Sequence, residues 1–286
     1  MNESEIQSFW EGNPCGEALV GVLDEKSREG YKAFFKRYDQ YRYERGGHIL
    51  KCLDNIDFEG KKVLEIGLGQ GADAEQIIRR GGRWSGLDLT HESVERVKMR
   101  FELANLDYDE IKQGSALENP YPDNHFDIVF SHGVLLVIPE IEVAQREIAR
   151  VLKPSGELII MMYAKWSLNY LVSIAIFRRL GLILMYFTGY APGKIYAMHL
   201  ANAKEFGLWN YLKMENFIHR NTDGPMNPYA TVYDIKRIKK DFVHFNPVRW
   251  YKRFMHAPPL PVRWMPFASW MGWHLWIHLR PKNTKA

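Results

Sequence analysis

The sequence predicts an α/β fold, a largely parallel sheet flanked by helices and carrying a helical cap. Three observations support this. Short apolar runs alternate with amphipathic ones between Lys61 and Ala164, a glycine-rich turn closes the first apolar run, and a carboxylate closes the second. Before the alternation, residues 17–57 read as helical, with apolar side chains at mixed spacings of three and four and breaks at Gly30 and Gly46-Gly47. KKVLEIGLGQG is then a strand that turns into a helix through AEQIIRR. RWSGLDLT is a second strand, HESVERVKMRFELAN a helix, DEIKQGSA a third strand and HFDIVFSHG a fourth. EVAQREIARVL is a helix, KPSG a turn and ELIIMMYA a fifth strand, so the sheet is built from right-handed crossovers. After Tyr163 the pattern stops: residues 164–230 are aromatic-rich, contain Pro192, Pro225 and Pro228, and read as an inserted cap. The core resumes at TVYDIKRIKKDF, with Thr231 as a candidate helix cap and Asp234 three residues later. VHFNPVRWYKRF is strand-like, and GWHLWIHLR alternates as an edge or hairpin strand packed on one face would. The expected organisation is a helical lid (1–45), a sheet core (46–163 and 231–286) and a substrate cap (164–230).

Composition is that of a globular chain: 46% apolar, 25% charged and 14% aromatic over 286 residues. Cys15 and Cys52 are the only cysteines, too few for a disulfide framework or a four-cysteine zinc site, so no metal centre and a reducing, cytoplasmic setting are expected. The acidic opening MNESEIQSFW has neither the basic nor the apolar region of a secretory signal, and secretion is not expected. The formal net charge of +4 conceals two unlike halves. Residues 1–164 hold 20 Lys/Arg against 29 Asp/Glu, whereas 165–286 hold 18 against 5. No acid follows Asp241, while Arg249, Lys252, Arg253, Arg263, Arg280, Lys282 and Lys285 are interleaved with five of the nine tryptophans. That mixture suits either an anionic, partly apolar partner or a solvated face offset by acids of the first half.

In Val63-Leu-Glu65-Ile-Gly67-Leu-Gly69-Gln-Gly71-Ala72, three glycines between strand and helix let a nucleotide-like ligand approach the backbone closely. Spacing alone leaves two ligands open. Gly67, Gly69 and Ala72 also satisfy the relaxed dinucleotide fingerprint, and Asp88 lies where a ribose-binding acid is expected. With Gly86-Leu-Asp88-Leu89, Gly114-Ser115-Ala116, Phe126-Asp-Ile-Val-Phe-Ser131 and Leu152-Lys-Pro-Ser-Gly156-Glu-Leu, five ordered segments over about residues 60–163 match one family. The chain resembles the class I S-adenosylmethionine-dependent methyltransferases, in particular the small-molecule group related to ubiquinone and menaquinone methylases.

The resemblance implies a Rossmann-like sheet with S-adenosylmethionine as cofactor and S-adenosylhomocysteine as product. It implies that Glu65 helps to hold the methionyl ammonium, that the amides of Gly67, Gly69 and Gly71 take the methionine moiety, and that Asp88 accepts the ribose hydroxyls. Leu89 would pack on the adenine, Ala116 would offer its backbone to the adenine edge, and Ser131 would lie near the methionine part. The sequence departs from the family pattern at Ser115, where Asp is frequent, and at Val137, where many relatives carry His.

Methyl transfer needs alignment and exclusion of water more than covalent catalysis, and a base only where the acceptor proton must leave. His132, at the ligand-binding edge of the sheet, is the best-placed base candidate, with a cofactor-contacting or structural role as its alternative. Tyr163, at the end of the fifth strand, and His199, in the cap, are further candidates. In the turn-rich loop after Asn221, Asp223, Asn227 or Tyr229 is expected to face the acceptor. The Asn-Pro-Tyr229 there does not follow the fourth strand, so it is not the motif of amino-methylating DNA enzymes, and Cys15 precedes the first strand and reads as structural. Tyr38, Arg42 and Tyr43 fall in the lid.

The run WSLNYLVSIAIFRRLGLILMYFTGY is apolar nearly all round, but Arg178 and Arg179 split it, which disfavours a spanning helix and leaves an interfacial one open. The expected acceptor is an organic small molecule or lipid-like compound, with an anionic one as an option; oxygen is the preferred acceptor atom, and carbon or nitrogen stay open. Peripheral membrane contact is a candidate. Alternatives are an RNA methyltransferase using the basic half, although no dedicated RNA module is visible, and a non-catalytic cofactor-binding regulator.

Overall fold

The computed structural model describes residues 2–282, so Lys285 of the basic tail lies outside the described residues. Its strands are β1 (Lys62–Ile66), β2 (Arg83–Asp88), β3 (Glu110–Gln113), β4 (Phe126–His132), β5 (Leu152–Tyr163), β6 (Phe245–Arg253) and β7 (His274–Pro281). They form one sheet in the order β3-β2-β1-β4-β5-β7-β6, parallel except that β7 runs antiparallel to both neighbours. Chain order reverses between β1 and β4. The C-terminal ends of β1, β2 and β4 therefore diverge around one crevice, the place where open α/β sheets bind ligands.

Period-two alternation sends Leu64, Ile66, Val129, Leu158 and Ile160 to one face of the sheet, against Ile148 and Val151 of the helix Ile141–Val151. Val63, Ile128, Phe130, Ile159 and Trp276 go to the other, against the helices His48–Leu53, Ala72–Ile78 and His91–Ala104. Between Ala164 and β6 the chain is mostly helical, apart chiefly from the non-helical stretch 221–234. The helix Asn169–Thr188, of π type as far as Arg178, packs with Lys194–Glu205 and Met214–Arg220 around a separate cluster that includes Ile174, Leu182, Phe217 and Trp273.

Three local expectations are corrected. Gly30 does not break a helix: it lies in the first turn of Arg28–Arg45, where its N–H donates to the capping hydroxyl of Ser27. The interruption lies earlier, around Gly21 at φ +89°. Thr231 is likewise not the cap of its helix. Asp234 accepts from the Arg237 N–H at 2.8 Å, and the Thr231 hydroxyl accepts from the Arg237 guanidinium instead. Finally, β7 is not an edge strand. It pairs on both sides and is buried from Leu275 to Leu279, leaving β6 at the edge.

Candidate functional site

The crevice at the C-terminal ends of β1, β2 and β4 holds a cavity of about 160 Å³. Glu65, Gly67, Gly69, Asp88, Leu89, Ala116 and His132 all line it, so residues up to 67 positions apart in sequence converge as the motifs imply. The glycine turn has to be glycine. Gly67, Gly69 and Gly71 have φ of +81°, +52° and +73°, and a Cβ on Gly67 would sit 2.1 Å from a Val134 methyl group. Gly71 does not line the cavity, and a Cβ there would come within 3.1 Å of Val97 and Arg100.

Asp88 holds this turn shut. One oxygen accepts from the Leu68 N–H at 2.6 Å, and the other from the Thr90 N–H at 2.9 Å and the Thr90 hydroxyl at 2.7 Å. An ionised carboxylate has about four acceptor positions, so about one is left for a ribose hydroxyl. Accepting two hydroxyls requires Asp88 to release Leu68 or Thr90. Burial pushes the Asp88 carboxyl up from its ordinary pKa, against the pull of those hydrogen bonds.

Glu65 is 2% exposed, and its carboxylate accepts from the Trp84 indole N–H at 2.9 Å. Burial, and then the nearby negative Asp73, drive its pKa well above the usual carboxylate range. A cation brought beside it would reverse that shift. The cavity thus combines a carboxylate in need of a cation, a backbone that only glycine can form, and a second acid at the end of β2, and these residues fit an adenosyl sulfonium carrying a methionyl ammonium.

Behind the glycine turn lies a cluster with a less visible sequence signal. Asp73, in the first turn of the helix after the glycines, takes a two-pronged contact from Arg42 at 3.1 and 2.5 Å and lies 2.8 Å from His132 Nδ1. Burial raises the Asp73 pKa, but Arg42 and then His132 outweigh it and hold the carboxyl below its usual range. Burial also lowers the His132 pKa against the pull of Asp73, so the imidazole is neutral near pH 7 and the contact is a hydrogen bond rather than an ion pair. With Nδ1–H donated to Asp73, Nε2 carries the lone pair, an arrangement suited to taking a proton.

Tyr163 and Asp223 lie outside the cavity lining and meet each other. The Tyr163 hydroxyl donates to Asp223 at 2.6 Å, and its ring stacks on Trp273 at 4.6 Å. Burial raises both pKa values, so Tyr163 stays protonated at neutral pH. Ser131 turns inward and donates to the Ile66 carbonyl at 3.0 Å, stitching β4 to β1 rather than lining the cavity. Ser115 donates to Glu3, which the N-terminal helix Glu3–Gly12 brings to the cavity wall. His199 pairs with the Tyr211 hydroxyl at 2.8 Å inside the cap, and the side-chain amide of Asn227 is buried with no partner among the described residues. Cys15 lines the cavity beside Gly69. The sequence reading missed Asp73 and Glu3. The available signal for Asp73 was an acid in the first turn of a helix; Glu3 gave none.

Residues 64–160 match the methyltransferase domain family. Those 97 of the 286 residues form a methyltransferase domain, and they are the stretch over which the sequence resembles the class I S-adenosylmethionine-dependent methyltransferases. Over 102 residues the chain is 37% identical to the fatty-acid O-methyltransferase of Mycolicibacterium smegmatis, covering 35% of this chain and 36% of that one. Over 100 residues it is 37% identical to the sterol 24-C-methyltransferase ERG6B of Gibberella zeae, covering 34% and 26%. The chain thus spans only about a third or less of the length of these curated relatives. Among solved structures, a SAM-dependent methyltransferase from Aquifex aeolicus superposes with a TM-score of 0.52 at 15% identity, covering 90% of this chain and 100% of that one, which shows the shared Rossmann-like fold.

Proposed function

We propose that the protein is a methyltransferase acting on a lipid-like acceptor, with oxygen as the acceptor atom. The observation that carries this reading is the convergence of Glu65, the Gly67–Gly69 turn, Asp88 and the Asp73-oriented His132 on one cavity. S-adenosylmethionine, when bound, would supply an activated methyl group on its positively charged sulfur. Glu65 binds the ammonium, the turn amides bind the carboxylate end, Asp88 orients the ribose, and Leu89 and Ala116 pack along the adenine. Glu3, held by Ser115, offers the adenine edge the acid that position 115 lacks. For a hydroxyl acceptor, His132 Nε2 takes the proton while Asp73 fixes the ring and steadies the charge it gains. The Tyr163–Asp223 pair orients the acceptor from the cap side, and the lid residues Tyr38 and Arg42 keep water from the cavity.

Lipid character is supported by the cap's apolar helix and by the names of the two relatives, one acting on a fatty acid and the other on a sterol. The protein would work at the cytoplasmic side of a membrane. Incubating it with isotope-labelled methyl donor and fractionated cell extract tests the reading. Label should enter the organic-soluble fraction as a base-labile or ether-type methyl group. Label found only in RNA, or no turnover despite firm adenosylhomocysteine binding, would overturn it.

A further inference from the structure

The helix Asn169–Thr188 is long and apolar enough to cross a membrane, with a mean hydropathy of 1.7, yet only 17% of that stretch is buried. Its exposed apolar residues are ordered. Ile176, Phe177, Leu180, Leu184 and Phe187 recur at intervals of one, three, four and three, which places them on one helix face. Phe187 is 73% exposed. The opposite face is committed to the protein, since Ile174 and Leu182 are buried in the cap cluster and the Arg178 guanidinium donates to the Asn221 carbonyl at 2.7 Å. The helix therefore lies along the molecule with one side bare.

The tryptophan- and arginine-rich tail adjoins it. Ser173 donates to the Pro258 carbonyl, Leu168 packs against the cluster of Met255, Ala257 and Val262, and Lys252 Nζ bridges the carbonyls of Trp166 and Trp270 at 2.6 and 2.9 Å. Trp264 and Trp270 project from this segment, 81% and 73% exposed. Arg45, Arg253 and Arg263 surround one depression there. Among the described residues their hydrogen bonds go to the Tyr41 hydroxyl and to the carbonyls of Lys252 and Glu44, not to carboxylates. Bare apolar side chains, exposed indoles and uncompensated guanidiniums in one neighbourhood match the three layers of an anionic membrane surface, namely acyl chain, interface and phosphate.

We propose that the bare face of Asn169–Thr188 and the segment from Arg253 to Trp270 form a docking surface for an anionic phospholipid bilayer. Leu184 and Phe187 enter the acyl boundary, Trp264 and Trp270 sit at the interface, and the three arginines take lipid phosphates. The surface goes beyond the proposed reaction and needs neither cofactor nor acceptor, so it is tested by binding alone.

The test is co-sedimentation of the full chain with vesicles of phosphatidylcholine alone or with added phosphatidylglycerol. Partition should be at least about tenfold greater with phosphatidylglycerol and should weaken at high salt. Leu184→Ser with Phe187→Ser should abolish sedimentation, and Arg253→Gln with Arg263→Gln should reduce the lipid preference by roughly fivefold per charge removed. Unchanged circular dichroism and unchanged adenosylhomocysteine affinity establish that the variants are folded. Equal partition into both vesicles, or full binding by the variants, would overturn the proposal. So would self-association in ultracentrifugation that is lost with Phe187→Ser, which assigns the face to a second copy, or release from cell membranes only by detergent, which assigns the helix a spanning role.

Discussion

Around the glycine turn, arginines end on carboxylates: Arg42 on Asp73, Arg96 on Glu17 and Glu92, Arg100 on Asp39 and Glu75. Around the tail, Arg45, Arg253 and Arg263 end on a hydroxyl and two backbone carbonyls. In the first region positive charge is consumed internally, and Glu65 and Asp88 are left to set the field of the cavity, which favours a cationic ligand. In the second it is exported to the surface, which favours an anionic partner. One chain thus presents opposite fields to its cofactor and to its surroundings, and substitutions on the two sides should separate cleanly.

The largest effect is expected at His132. His132→Asn should lower kcat by about 10² to 10⁴-fold with a hydroxyl acceptor and leave adenosylhomocysteine affinity within a few-fold, as read by steady-state kinetics and calorimetry. A loss of less than tenfold would point to an acceptor that is already ionised, such as a carboxylate, and would remove the base from the mechanism. Next comes Gly67→Ala. At φ +81°, with Val134 in the way of a Cβ, it should weaken cofactor binding roughly 10- to 100-fold, whereas Arg263→Gln should leave that affinity unchanged. If both variants bind cofactor equally, the two regions are not independent.

Acid should strike a histidine group that connects the regions. Burial, and then His132, lowers the His48 pKa to about 3, while burial, and then Arg178, lowers that of His256 to about 4. His274, 3.0 Å from His48, is lowered well below its usual value for the same first reason. Folded pKa values lie below unfolded ones, so between about pH 6.5 and pH 4 the unfolded chain binds protons that the folded chain refuses. Stability should therefore be full above that window and fall as pH drops through it, by up to about 1.4 kcal/mol per pH unit for each such histidine. Thermal unfolding between pH 7.5 and 5 measures this, and a flat profile would mean that these histidines are solvated.

Contacts made close along the chain were legible in the sequence, as were the motifs that resemble the family. The strand–glycine–helix unit and the acid ending β2 could be read because alternation, turn chemistry and spacing all act within about 25 residues. Asp73 could not be assigned, because its partners Arg42 and His132 lie 31 and 59 positions away and nothing local marks them. The pairing of Tyr163 with Asp223 spans 60 positions and depends on how the cap folds back. The edge alternative for the last strand failed for the same reason: alternation in His274–Leu279 describes one strand, while pairing along both its edges depends on β5 and β6. Gly30 misled because a glycine within a helix's first turn looks like a breaker until the capping serine before it is recognised.

That serine gives the smallest effect and the sharpest check on the lid. Ser27→Ala removes the hydroxyl that accepts from the Gly30 N–H at 3.1 Å and should cost about 1 kcal/mol, a lowering of melting temperature by a few degrees. Arg42 occupies the last turn of the same helix, 15 residues on, or about 22 Å along the axis. Fraying at the first turn decays within a turn or two, and Arg42 is fixed independently by Asp73, so kcat and cofactor affinity should not change. Should kcat fall together with the melting temperature, the helix Arg28–Arg45 moves as one rigid lever, and the placement of Arg42 depends on its far end as much as on Asp73.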